Sequence, residues 1–293
     1  MTESQPVAIV GLGLMGEVYA RRLLDAGIRV IGHDIDATRC ERLDAIGGQS
    51  VTAVADLARQ ARCVLLAVFN TDQVEDVVEN HLMRALGNNS GQIVACMSTC
   101  DPDRISALGA RVTSRGLRFL DLPVSGTSEQ VRQGDGVGLI GGDLRIAEDI
   151  KEVLDALFAR TFYVGKIGDG GRAKLAINLI LALNRLALAE GLVFAEGLGL
   201  DPATFLPVAQ GSAACSQVMD TKGPKMVRGD FTPEGRARQT LKDAYLMREQ
   251  GRAAGLALSM LNVHIEVLES CVAHGEGDLD NSAVIKEVRR RRG

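Results

Sequence analysis

Cys63-Val64-Leu65-Leu66-Ala67-Val68 runs for six residues without a polar side chain. A strand with one face in water alternates polar and apolar residues, so a run like this one is buried on both faces and needs helices above and below it. Val7-Ala8-Ile9-Val10 and Gln92-Ile93-Val94-Ala95-Cys96 repeat the pattern, and Arg29-Val30-Ile31 is a shorter version. Between them, Met15 to Ala26, Ala37 to Ile46 and Thr71 to Leu86 have helical character, with Gly27 and Gly47-Gly48 as stops. Strand and helix in alternation predict an α/β domain, a doubly wound parallel sheet with right-handed crossovers. Phe119-Leu120-Asp121-Leu122, Gly136-Val137-Gly138-Leu139-Ile140 and Phe162-Tyr163-Val164 continue the strands.

After Gly165 the character changes. Gly168-Asp169-Gly170-Gly171 opens a helical run to about Gly197 that is apolar on nearly every face, and the remainder reads as helices punctuated by Pro202, Pro207, Gly223-Pro224 and Pro233. A long helix leaving the sheet for an all-α second domain is expected, with domains at 1–165 and 166–293; a chain of 293 residues suits two domains. Leu175 to Leu200 resembles a membrane segment in hydropathy. Asn178, Asn184, Arg185, Glu190 and Glu196 interrupt it, which favours a buried helix over a bilayer span. A helical domain this rich in Ala and Leu predicts self-association, as dimer or tetramer.

Composition removes other classes. With 46% hydrophobic and 24% charged residues the chain is not disordered as a whole. A net charge of −4, 3% aromatic residues and no Trp weigh against nucleic-acid binding, and Arg289-Arg290-Arg291-Arg292 reads as a solvated helix end. Six Cys in so long a chain form no disulfide scaffold, and the start Met1-Thr2-Glu3-Ser4-Gln5-Pro6 has no apolar run; both predict a reducing, cytoplasmic setting.

Gly11-Leu12-Gly13-Leu14-Met15-Gly16 stands directly after a predicted strand and opens a helix. In such a G-x-G-x-x-G the first glycine makes the turn, the second admits a pyrophosphate to the backbone and the third lets helix pack on strand. Free N–H groups and the positive end of the helix dipole face the phosphates. Asp34, at the end of the second strand, accepts ribose hydroxyls and repels a 2′-phosphate, which favours NAD over NADP. Arg39 lies near enough to meet a phosphate instead. The fold so predicted is Rossmann-type.

Two further constellations each have a bland alternative. Asp121-Leu122-Pro123-Val124-Ser125-Gly126-Thr127 links a strand to a helical segment. The Ser125 hydroxyl with the Gly126 and Thr127 N–H groups suits a carboxylate, or the segment is an ordinary helix cap. Lys174 and Asn178 are one turn apart on the long helix and share a face. A Lys beside a low-polarity pocket suits proton transfer; a Lys reaching back to the surface has no such role.

Together with Ser98-Thr99-Cys100-Asp101-Pro102 and Leu241-Lys242-Asp243, these motifs resemble the β-hydroxyacid dehydrogenase family over essentially the full chain. The resemblance implies an NAD-dependent oxidoreductase that interconverts a small 3-hydroxy acid and its semialdehyde or keto acid. It implies Lys174 as general acid/base, Asn178 as its orienting partner, and Ser125, Gly126 and Thr127 as the holder of the substrate carboxylate. Phe69, Asn70 and Thr99 stand where the family's sheet edge approaches the nicotinamide, Lys242 matches a lysine reaching over the cofactor, and Asp243 supports that turn. Thr127 stands for the usual second glycine, Phe69-Asn70 for Leu-Pro and Ile177-Asn178 for an asparagine pair, changes that alter the pocket's volume and polarity. An imine reductase, which often carries an acid or Tyr at the position of Lys174, and a non-catalytic dinucleotide-binding scaffold are the alternatives. His33, His81, His264 and His274 are scattered and Cys96 and Cys100 lack zinc-type partners, so no metal is expected.

Overall fold

A computed structural model describes residues 5–88 and 91–291; Met1–Ser4 and Arg292 therefore lie outside the described residues. By contact the chain divides into two units, one ending at Lys174 and the other starting at Leu175.

The first unit is built on nine strands: β1 Val7–Val10, β2 Val30–His33, β3 Gln49–Ser50, β4 Cys63–Leu66, β5 Ile93–Cys96, β6 Arg118–Asp121, β7 Val124–Ser125, β8 Val137–Gly142 and β9 Arg160–Gly165. They form one sheet in the order β3-β2-β1-β4-β5-β6-β8-β7, with β9 on β8. From β3 to β6 every pairing is parallel, as double burial requires. Beyond β6 the sheet turns mixed: β8 runs antiparallel to β6 and β7, and β9 is parallel to β8. Alternate residues feed two cores. Ile9, Leu65, Ala95 and Leu120 pack with Val18, Tyr19, Leu23 and Leu154 on one face. Ala8, Val64, Val94 and Phe119 pack with Leu57, Val74, Val78 and Leu108 on the other.

Register decides where chemistry can happen. Val10 pairs with both His33 and Leu66, Leu66 with Cys96, and Cys96 with Asp121. The residues that follow these strands (Gly11, Asp34, Ala67, Met97 and Leu122) therefore share the carboxyl edge of the sheet. Strand order reverses between β1 and β4, the place where open α/β sheets bind ligands.

Some local structure had no signature in the pattern. The 71–86 stretch is helical but interrupted by a π-turn at Val77–Leu82 between Thr71–Asp76 and Met83–Leu86. Helices also form at Val54–Gln60, Leu144–Asp149, Lys151–Leu157 and Pro102–Ser114; in the last, Asp101 caps the Asp103 and Arg104 N–H groups.

The 29-residue helix Asp169–Gly197 begins in the first unit and continues into the second. Its most apolar 18 residues have a mean hydropathy of 1.6, which with its length satisfies what a bilayer span needs, and 39% of that stretch is buried. Leu186, Leu188, Ala189 and Leu192 join Met226, Ala244, Met247, Leu261, Ile265, Leu268 and Val284 in the core of the helical unit. Pro202 starts a helix, as its fixed φ suits, but Pro207 and Pro224 lie inside helices rather than ending them. In helices of 9 and 12 residues each removes only one N–H from the ladder.

That core holds an ionic knot. Lys222 Nζ stands 3.0 Å from both Asp280 and Glu234, and Asp280 also accepts the Glu234, Gly235 and Ser282 N–H groups. The basic end of the chain is paired rather than simply solvated: Arg289 binds Glu196, Arg290 binds Glu276 and Glu287, and Arg291 binds Glu287. Glu287 from the preceding turn, Glu276 from the loop before it and Glu196 from the long helix supply what a run of like charge needs.

Candidate active site

The glycine loop does what each of its positions requires. Gly11 has φ +93°, and a Cβ there would stand 2.6 Å from the Ala67 carbonyl oxygen, so this turn against β4 excludes any side chain. A Cβ on Gly16 would be 1.9 Å from the Gly11 oxygen, the mark of helix packed on strand without room for a methyl group. Gly13 differs: only Arg39 Nη1, at 3.9 Å, comes near. Gly13 also precedes the helix Leu14–Asp25, whose N-terminus has no side-chain cap. An open approach over Gly13 and uncapped helical N–H groups fit a pyrophosphate.

Asp34 follows β2 and is buried. Its carboxylate accepts the Leu12 N–H at 2.7 Å and the Asp36 N–H at 2.9 Å, and pairs with Arg39 at 3.2 Å. Asp36 caps the next helix, by accepting the Thr38 N–H. Arg39 also reaches Asp36, at 3.4 Å, so its guanidinium lies between two carboxylates beside the glycine loop.

Two more edge loops are tied to each other. Ser98 Oγ donates to the Val68 carbonyl at 2.7 Å, and the Asp101 N–H donates to Thr71 Oγ1 at 2.9 Å. Between these ties lie Phe69, itself 42% exposed, Asn70 and Thr99. Asn70 caps the helix Thr71–Asp76 by accepting the Gln73 N–H, and the Phe69 N–H donates to Gln73 Oε1.

The Ser125–Thr127 loop forms the helix cap that one of its two readings expects. Gly126 has φ +140°, which a side chain would strain. Thr127 heads a capping box: its hydroxyl accepts the Gln130 N–H, while its own N–H donates to Gln130 Oε1 at 2.9 Å. A carboxylate bound here would meet Ser125 and the Gly126 N–H directly and would compete with Gln130 for Thr127.

Asp121, quoted above only as the head of a motif, is a buried carboxylate that accepts the N–H groups of Gly168 and Gly171. Burial pushes its pKa up to about 6 against the pull of those two bonds and of Arg172. Its signal was an acidic residue ending an apolar strand. Lys174 is buried at 7% exposure and is the last residue of the first unit.

In the second unit Asp243 joins two of the predicted residues. It accepts a hydrogen bond from Asn178 Nδ2 at 3.1 Å and lies 2.9 Å from Lys242 Nζ. Asp243 is thus the common anchor of both. Among the described residues no group of three or more His, Cys, Asp or Glu side chains could hold a metal ion.

Comparison with known proteins identifies the family. Residues 6–165 match the NAD-binding domain of 6-phosphogluconate dehydrogenase, and residues 168–288 match the NAD-binding domain described for NADP-dependent 3-hydroxyisobutyrate dehydrogenase. The chain is 29% identical to 2-hydroxy-3-oxopropionate reductase of Escherichia coli over 96% of both chains. It is 27% identical to a solved 3-hydroxyisobutyrate dehydrogenase of Salmonella typhimurium, with a TM-score of 0.88 over 97% of this chain and 99% of that one. An imine reductase from Pseudomonas, at 18% identity and a TM-score of 0.63 over 97% of this chain and 99% of that one, shares the fold alone. An oxidoreductase by these matches, the chain belongs to the β-hydroxyacid dehydrogenase family.

Proposed function

We propose that this protein interconverts a small 3-hydroxy acid and its semialdehyde or keto acid, with NAD as the hydride carrier. Residues 1–165 serve as the cofactor domain and 166–293 as the helical domain. The observation that carries the reading is Lys174, an amine buried in the same unit as the glycine cradle and the Ser125 loop, one helical turn beyond backbone held by Asp121. The E. coli relative's name describes an acid with an aldehyde at C3, whose reduction yields a 3-hydroxy acid.

Bound NAD supplies a hydride acceptor at its nicotinamide ring. The protein supplies position and a proton path. Gly11, Leu12, Gly13, Leu14, Met15 and Gly16 receive the pyrophosphate, and Asp34 receives the ribose hydroxyls. That carboxylate favours NAD over NADP, while Arg39 beside it is the residue that would meet a 2′-phosphate. Phe69, Asn70, Thr99 and Lys242 flank the nicotinamide half. Ser125 and Gly126, with Thr127, hold the substrate carboxylate and so orient the hydroxyl. Lys174 Nζ takes the hydroxyl proton in oxidation and returns it in reduction, and Asn178, held by Asp243, keeps amine and substrate oxygen in line.

Six free cysteines support a reducing, cytoplasmic setting. Ile180, Phe194 and Leu198, exposed at 62%, 69% and 65%, support a homo-oligomer built on the helical unit.

The test is a screen of small 3-hydroxy acids with NAD and with NADP, read by absorbance of the reduced nicotinamide. Lys174→Ala should lower kcat by about three orders of magnitude and leave the Kd for NAD within twofold. Tight NAD binding without turnover of any hydroxy acid would indicate a scaffold, and turnover of cyclic imines alone would indicate an imine reductase.

A further inference from the structure

Asp121 is a carboxylate at 2% exposure at the carboxyl edge of the sheet. Its Oδ2 accepts from Gly168 at 3.0 Å and from Gly171 at 2.9 Å, gathering two N–H groups at the start of the long helix. These groups have no carbonyl of their own helix to bond, so the carboxylate fills a backbone vacancy and favours the positive end of the helix dipole.

Contact around this bond is backbone on backbone. A Cβ on Gly170 would lie 2.9 Å from both the Asp121 carbonyl oxygen and Oδ2. A Cβ on Gly141 of β8 would lie 2.7 Å from the Lys166 oxygen and 2.9 Å from the Gly170 nitrogen. Gly168, at φ +97°, would drive a Cβ to 2.0 Å from Ser106 Oγ, which itself donates to the Ile167 carbonyl at 2.8 Å. The first turn of the helix is thus seated on β6 and β8 with no side chain as a cushion, which explains Gly170 and Gly141, while Gly168 answers to its own φ and to Ser106. Lys174 follows Gly171 by three residues, and Ser125 follows Asp121 by four.

We infer that Asp121 is a positioning residue: by fixing the first turn of the long helix on β6, it sets where the Lys174 amine stands relative to the Ser125–Thr127 loop. The inference rests on the role proposed for Lys174. A displaced amine costs rate rather than affinity, because proton transfer depends steeply on geometry, with about 100-fold lost for a displacement near 1 Å.

The experiment uses the full-length enzyme and compares Asp121→Ala, Asp121→Asn and Gly170→Ala for kcat, both KM values, Tm and amide exchange across residues 166–176. Asp121→Ala should lower kcat about 100-fold, leave KM for NAD within twofold and speed exchange at Gly168 and Gly171. Asp121→Asn keeps an acceptor oxygen and should retain kcat within about fivefold. Gly170→Ala keeps the carboxylate but unseats the helix, and should reproduce the loss. In a Lys174→Ala background, Asp121→Ala should cost nothing further. Folded Asp121→Ala or Gly170→Ala enzyme with wild-type kcat, or a loss that adds in full to that of Lys174→Ala, would overturn the inference. If Asp121→Ala does not fold, Asp121→Asn and Gly170→Ala decide by the same criteria. Near-normal turnover by Lys174→Ala alone would instead overturn the role of the lysine itself.

Discussion

Arg185 is the least comfortable side chain in the helical unit, and replacing it should stabilise the protein. It lies at 7% exposure, and its Nε and Nη1 have no hydrogen-bond partner. Burial pushes its pKa down to about 10, and Asp280 is the one charge that offsets this. Asp280 is already engaged by Lys222 and three backbone N–H groups. At 1.36 kcal/mol for each tenfold change in proton affinity, holding this guanidinium charged at neutral pH costs about 3 kcal/mol. Met is unbranched, of similar length and apolar, and the adjoining Leu186 and Leu188 are core residues.

Arg185→Met should therefore gain about 2–3 kcal/mol, since replacing a buried, poorly paired charge by a packed apolar side chain is neutral to stabilising. Urea denaturation followed by far-UV circular dichroism measures it, because the midpoint moves at constant slope when stability alone changes. A companion Arg185→Ala should lose stability relative to Arg185→Met through the cavity it opens. A lowered midpoint for Arg185→Met would refute the reasoning, for it would mean that the guanidinium is well paired in solution.

Three other outcomes follow from the structure. His264 is fully buried, and burial with Arg185 nearby pushes its pKa down to about 3 from an ordinary value near 6.5, so between those pH values the unfolded chain takes up a proton that the fold refuses. Its contribution is complete above pH 6.5 and falls by about 5 kcal/mol on acidification to pH 3, so His264→Leu should flatten stability against pH over that window in urea melts; an unchanged slope would contradict it. Gly13→Ala and Gly16→Ala should separate binding from folding: the first leaves Tm within a few degrees but costs at least about tenfold in NAD affinity by calorimetry, while the second, with its Cβ 1.9 Å from the Gly11 oxygen, lowers Tm sharply. Asp34→Ala should weaken NAD by about 10–100-fold and free Arg39 to improve the Kd for NADP, checked by titrating both nucleotides.

Much of this molecule is local, and the local part is legible. The doubly wound half can be read from Cys63 to Val68 because burial on both faces leaves no polar residue in a strand. The glycine loop can be read because each glycine answers a separate steric demand. The antiparallel turn of the sheet at β8 could not be read, since strand direction depends on what the intervening chain does and Gly136 to Ile140 carries no mark of it. The π-turn at Val77–Leu82 is equally silent, being a choice of hydrogen-bond partner within a stretch that is helical either way.

The site divides along the same line. Asp34 lies at the carboxyl end of β2 because register places it there. Yet its bonds to Leu12 and Arg39 depend on side-chain rotamers that no spacing encodes. Asp121 and Asp243 make the point more sharply. Each is a carboxylate inside a motif whose neighbours carry the recognisable chemistry, and each binds residues 47 to 65 positions away in the chain. A buried acid costs free energy unless donors surround it, so wherever a motif places one beside an apolar strand or on a buried helix face, donors from elsewhere must converge on it. For Asp121 the donors are the backbone of Gly168 and Gly171, and for Asp243 the amide of Asn178. Sequence marks the acceptor and folding supplies the donors. The residues that hold the first turn of the long helix and the Asn178 amide are therefore the ones that spacing alone leaves without a partner.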